Sequence, residues 1–166
     1  WKNFKGIILS ATNESTMILM IMAMALLFSY AMSYLYIPQS IAEAIIAMEI
    51  SKWWIMVIIN IFLLVLGFFI PPAAIIVMIA PIIYPIIIGL GWDPGWFGVI
   101  MTLNMEAGLI TPPVGLNLYV VKGVAPEVPL TDILRGSFPF IIILFLAIVV
   151  LCIFPQIALW LPSAIM

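Results

Sequence analysis

The chain has no histidine, a single cysteine, and only five basic and seven acidic side chains in 166 residues. Without histidine, and with Cys152 alone inside an apolar run, metal chemistry and a disulfide scaffold are both excluded. Enzyme chemistry is excluded on similar grounds: no serine–lysine pair lies within one span, and no acid pair shares a helix face. Charged residues make up 7% of the chain, against roughly 25% in a soluble domain. With 67% hydrophobic residues and a mean hydropathy of +1.38, this is the composition of an integral membrane protein. The net charge of −2 rests on so few groups that it says little about partners, and no nucleic-acid partner is expected. The chain opens on Trp1 without a signal-peptide pattern and is expected to be part of a larger protein, of a length that suits half a transporter.

What the chain does have is helix breakers inside apolar sequence: thirteen prolines and ten glycines, which favour discontinuous helices over straight spans. Residues 1–13 carry Lys2 and Lys5 and are expected at the membrane interface. Ser15–Tyr36 contains no charge over 22 positions, enough to cross a core of roughly 30 Å. Pro38 stops that span, and 38–50, with Glu43 and Glu49, suits a short helix lying along the membrane surface. Two apolar arms follow, 53–70 and 73–90, joined by Pro71-Pro72. Their connection has no polar side chain, so a re-entrant hairpin with its tip inside the protein fits better than two full spans, and Pro81 and Pro85 should kink the return arm. After a wet turn at 91–95, a helix over 96–122 is expected to break across Gly108–Gly115. Residues 124–135 read as a surface connection and Gly136–Leu161 as the last span. The organisation is therefore an interfacial segment, span and arm over 1–50, a hairpin and broken helix within 51–125, and a connection with a final span over 126–166. Lys2, Lys5, Lys122 and Arg135 fall on one side and Lys52 on the other, so the first side should be cytoplasmic and the C-terminus outside. Trp53, Trp54, Trp92 and Trp96 flank segment ends as an interfacial belt.

Two copies of one pattern, Gly-x-x-x-Pro-Pro, sit in those apolar segments, at Gly67–Pro72 and Gly108–Pro113. A proline has no N–H for the carbonyl four residues earlier. Pro71 and Pro72 therefore free the carbonyls of Gly67 and Phe68, and Pro112 and Pro113 free those of Gly108 and Leu109. Irregular backbone at membrane depth must be buried in protein or line a cavity, and paired interrupted segments point to the ion and substrate site of a secondary transporter. The second copy is flanked by Asn104, Glu106, Thr111, Gly115 and Asn117. Freed carbonyls with the Thr111 hydroxyl would supply hard oxygens to sodium, and the hairpin tip would supply the rest from the opposite side. Glu106 is the one acid deep in apolar sequence, and an intramembrane acid is a functional candidate by default. It would act as an ion ligand or a cap for broken-helix N–H groups, both ranked above a proton carrier. Asn60 is either a packing contact or a hydrogen-bond partner supporting the tip. With no Arg or Lys in the proposed site, an anionic substrate would be held by helix N-termini and amides.

The run GLITPPVGLNLYV (108–120), preceded by WDPGWFGVIMTLNMEAG (92–108), resembles the large membrane subunit of tripartite ATP-independent periplasmic (TRAP) transporters. The similarity extends from about Phe4 to the FPQIALWLP ending, and covers the C-terminal half of such a subunit. The resemblance implies an all-α, elevator-type carrier half in the bacterial inner membrane, with scaffold helix, arm helix, re-entrant hairpin, discontinuous helix and final transmembrane helix. It implies sodium-driven import of an organic acid, such as a C4-dicarboxylate or sialic acid, delivered by a periplasmic binding protein, with a small membrane subunit as partner. Na+ would be the coupling ion, and no other cofactor is implied. Gly67–Pro72 would be the outer hairpin tip and Gly108–Gly115 the unwound segment, forming one sodium site beside the substrate. Where that family leads one to expect a polar or acidic residue near the tip, Ile70 stands here, so ligation at the tip would fall to backbone. A stand-alone dicarboxylate carrier of related fold is the runner-up. A channel would instead show a polar stripe along one helix, whereas the polar residues here cluster at the breaks.

Overall fold

The computed structural model describes residues 2–165, with side chains described from Phe4 to Ala164. The Lys2 side chain, one of the charges used for orientation, lies outside that range. Eight helices account for the described elements: α1 (Lys2–Tyr34), α2 (Ile37–Ala47), α3 (Lys52–Gly67), α4 (Pro72–Gly89), α5 (Pro94–Ile110), α6 (Leu116–Val124), α7 (Leu130–Ile153) and α8 (Gln156–Ile165). Among the described residues three helices, α1, α4 and α7, are long and apolar enough to cross a membrane. Their apolar surfaces are largely bare: on α1, among the described side chains, Ala25 alone is buried. The chain is a multi-pass membrane protein.

Outside the two breaks, three boundaries differ from the sequence reading. The expected interfacial segment and first span are one helix of 33 residues, about 50 Å long at 1.5 Å per residue. Nothing between Lys2 and Tyr34 stops it, because Lys5 and Glu14 continue a helix as readily as apolar residues do. The surface connection shrinks to 125–129, since Leu130–Arg135 form the first turns of α7. The expected last span is two helices. Pro155 forces Phe154 out of helical geometry (φ −122°, ψ 73°), and α8 turns back to pack on α5 as well as α7.

The remaining punctuation behaves as its chemistry requires. Tyr36, left-handed at φ 56°, turns the chain between α1 and α2, and Pro38 enters the first turn of α2. Asp93 caps α5, its Oδ1 accepting the Trp96 N–H at 2.9 Å, with Pro94 in the first turn. Pro81 and Pro85 both lie inside α4.

The core centres on α5, whose Trp96, Phe97, Ile100, Met101 and Met105 are all buried. On it pack α3, α4, α6, α7 and α8, while α1 and α2 lie against α4. The two hairpin arms scarcely touch each other: α3 belongs to α5, and α4 to α1 and α2. Because lipid is as apolar as leucine, such helices are held by close packing and polar links rather than by the hydrophobic effect. One polar link is the Trp96 indole N–H, which donates to the Leu151 carbonyl of α7 at 2.8 Å in a buried setting.

Candidate functional site

On α3, Asn60, Leu63 and Gly67 form one stripe at helical spacing, and on α5 Asn104 and Gly108 form another. The two stripes meet. The Asn104 Nδ2 donates to the Asn60 Oδ1 at 2.7 Å and to the Asn60 carbonyl at 3.1 Å. The Asn60 amide in turn donates to the Met56 carbonyl at 2.9 Å. Farther along, Gly67 and Gly108 pack backbone to backbone. A Cβ on Gly108 would stand 2.8 Å from the Gly67 Cα, and one on Gly67 would stand 3.3 Å from the Gly108 Cα. The order of contacts is the same along both helices, so α3 and α5 run in parallel and end side by side. Each helix terminus carries about half a negative charge from its aligned peptide dipoles. Two such ends converge where the two Gly-x-x-x-Pro-Pro patterns touch.

At the hairpin tip, the Phe69 and Ile70 N–H groups both bond the Leu66 carbonyl at 3.0 Å. Pro71 and Pro72 have no N–H, so among the described residues the carbonyls of Gly67 and Phe68 have no backbone donor, as the proline spacing implies. Phe68 is half-buried and meets Phe69 edge-on with ring centroids 6.3 Å apart. Pro71 is exposed and Pro72 opens α4.

In the second copy the break starts later than expected. Gly108 and Leu109 are still in helical geometry, and α5 ends at Ile110. The chain leaves the helix at Thr111 (φ −102°, ψ 134°), the residue that Pro112 pushes into extended geometry. The Gly108 carbonyl is accordingly not free: it accepts the Thr111 N–H at 3.3 Å. The Leu109 carbonyl, opposite Pro113, has no backbone donor among the described residues. The Thr111 hydroxyl donates to the Ala107 carbonyl, which fixes its proton and leaves its lone pairs for another group. Pro112 and Pro113 are exposed and joined by a cis peptide bond. Gly115 then opens α6 at φ 58°, and a Cβ there would stand 2.7 Å from the Leu118 side chain. Only glycine fits this N-cap.

Two expected members lie elsewhere. Glu106 is exposed, and its side chain has no hydrogen bond or ion pair among the described residues. It stands two residues from Asn104, about 200° around the helix, and therefore faces away from α3. It neither caps the broken helix nor joins the oxygens at the break. Asn117 is likewise exposed, in the first turn of α6, with no side-chain partner among the described residues. Asn104 is buried to 1% exposure and linked to Asn60 about two helical turns before the break, so it ties the two helices together. Asn60 and the Ala107 carbonyl complete the set. The spacing of Asn60 to Gly67, two turns, was the available signal for the first.

A family model described as "Tripartite ATP-independent periplasmic transporter, DctM component" matches residues 1–157. The chain is 40% identical to the C4-dicarboxylate TRAP transporter large permease protein DctM of Pseudomonas aeruginosa, over 95% of this chain and 36% of that protein. It is 32% identical to the sialic acid TRAP transporter large permease protein SiaM of Vibrio cholerae, over 94% of this chain and 36% of that protein. It is 34% identical to the ectoine TRAP transporter large permease protein TeaC of Halomonas elongata, over 81% and 31% respectively. The chain thus spans about a third of the length of these relatives.

Proposed function

We propose, because the chain belongs to the DctM component family of tripartite ATP-independent periplasmic transporters, that it is the part of a large permease that binds the coupling sodium. One observation carries this reading: two parallel helices, ending at Gly67 and Ile110, pack backbone to backbone at Gly67 and Gly108, so their negative termini lie close together. Carbonyl oxygens without backbone donors at Gly67, Phe68 and Leu109 and the Thr111 hydroxyl are hard ligands of the kind a small cation takes. Neither break carries a positive side chain of its own, the nearest in sequence being Lys52 and Lys122. Gly115 and the N-terminus of α6 supply the opposite polarity, suited to the carboxylate of an organic acid lying beside the cation. Pro71, Pro72, Pro112 and Pro113 act by withholding N–H groups, and Asn104 by holding α3 on α5. Glu106 and Asn117 stand outside the site.

In this reading the intact protein sits in the bacterial inner membrane with its C-terminus periplasmic, as the distribution of Lys5, Lys122 and Arg135 against Lys52 favours. It works with a small membrane subunit and a periplasmic binding protein that delivers a C4-dicarboxylate, a sialic acid or a similar carboxylate. The α3, α4, α5 and α6 unit moves as an elevator against α1 and α2, and sodium neutralises the converging helix termini so that the unit crosses closed. Uptake by proteoliposomes holding the complete permease and its small subunit tests the reading. Candidate acids are offered with or without the binding protein, under an inward sodium gradient or none. Uptake that needs both is expected. Sodium-driven uptake without the binding protein would make it a stand-alone carrier, and gradient-independent flux would make it a channel.

A further inference from the structure

Between α3 and α7 runs a groove of about 530 Å³, walled on one side by Trp53 to Leu64 and on the other by Phe145 to Ile153. The backbones of the two walls do not approach each other; both stand on α5, which forms the floor. Along α3 the groove is about 16 Å long, or three helical turns. Its lining is apolar except at Asn60 and Asn104. Asn104 is 1% exposed, and its Oδ1 is the one buried side-chain oxygen or nitrogen without a hydrogen-bond partner among the described residues. Its amide orientation is set from the other end. Nδ2 has two acceptors on Asn60, and turning the group over would set oxygen against oxygen at 2.7 Å.

A carbonyl oxygen left unpaired in a dry, apolar setting loses its hydrogen bonds to water and gains none, so something that donates a hydrogen bond belongs there. A lipid acyl chain fills an apolar groove but donates nothing. A carboxylate substrate is acceptor-only. A cation would find a single free oxygen amid hydrocarbon. A helix carrying a hydroxyl or amide side chain meets every condition: it has the length, it buries the two bare walls, and it donates. About two-thirds of the length of the relatives lies outside the part these 166 residues match.

We propose that this groove seats a membrane-spanning helix from the part of the large permease outside these residues, and that this helix presents a hydrogen-bond donor to the Asn104 Oδ1. The proposal rests on the family membership and not on the sodium reading, and its test uses no transport. In the full-length permease, co-expressed with its small subunit, p-benzoylphenylalanine replaces Val149 or Ile61, one at a time. Both residues line the groove and are about half exposed in this chain. After irradiation of intact membranes, the adducts are digested and mapped by mass spectrometry. The expected result from at least one position is an adduct within the permease polypeptide, several-fold over all others, on a transmembrane segment outside the 166 residues. That segment should carry Ser, Thr, Asn or Gln within one helical turn of the mapped position. Adducts mainly with lipid or with the small subunit would overturn the proposal. So would an intramolecular adduct on a segment without such a donor.

Discussion

Gly108→Ala is the sharpest perturbation of the two meeting breaks. The added methyl would stand 2.8 Å from the Cα, 2.9 Å from the carbonyl carbon and 3.1 Å from the carbonyl oxygen of Gly67. Carbon atoms in contact prefer about 3.5–4.0 Å, so α3 and α5 must separate by roughly 0.7–1 Å at their ends. No flexible side chain can move aside, because every close atom is backbone. Overpacking of this kind typically costs about 1–3 kcal/mol. If that cost falls on the geometry that binds sodium, the apparent sodium affinity drops by about 5- to 150-fold, at tenfold per 1.4 kcal/mol. Gly67→Ala meets the Gly108 Cα at 3.3 Å and should sit at the lower end of that range. Gly98→Ala is the control: its methyl meets nothing within 4 Å, and replacing an exposed helical glycine should stabilise by up to about 1 kcal/mol. The assay is sodium-dependent uptake by the reconstituted complete permease, with melting temperature recorded beside it. Wild-type sodium dependence in Gly108→Ala, at full expression, would refute the idea that the two breaks form one site.

The other perturbations separate ligand from scaffold. Thr111→Val keeps the shape but removes the hydroxyl beside the Ala107 carbonyl, and should raise the sodium concentration for half-maximal uptake without lowering membrane insertion. Asn104→Leu strands the Asn60 side chain and removes an interhelical link worth about 0.6–2 kcal/mol, so the melting temperature should fall with sodium affinity changing less than in Gly108→Ala. Glu106→Gln, on an exposed face away from α3, should leave both the pH profile and the sodium dependence of uptake unchanged, and a shifted pH profile would return Glu106 to the coupling machinery. Trp96→Phe deletes the buried N–H bond to the Leu151 carbonyl and should cost about 1–3 kcal/mol in thermal unfolding, with sodium affinity intact.

The elements most legible in the sequence are those set by local chemistry. Proline has no N–H and restricts the residue before it, so the breaks at Pro71-Pro72 and Pro112-Pro113 follow from residue type alone, as does the Asp93 cap. Asymmetric features were harder. Pro112 displaces Thr111 rather than Gly108, so the break lies three residues later than the glycine suggests. Lys2 and Lys5 marked an interfacial segment because they are charged, yet charge does not end a helix, and α1 runs on through Lys5 and Glu14. The burial of Asn104 and exposure of Glu106 follow from helical phase, which an acid in apolar sequence obscures until its face is compared with Gly108. The Asn60–Asn104 and Trp96–Leu151 links join residues 44 and 55 positions apart, and only tertiary packing brings them together. That α3 and α5 run in parallel, with their ends side by side, is likewise a property of the fold and not of either copy of the pattern.

The most direct test is equilibrium binding of radioactive sodium to the purified complete permease, compared across wild type, Gly108→Ala, Thr111→Val and Glu106→Gln. Saturable binding is expected, weakened several-fold by the first two substitutions and unchanged by the third. Binding that survives Gly108→Ala and Thr111→Val at wild-type affinity would place the sodium away from the two meeting breaks and contradict the account.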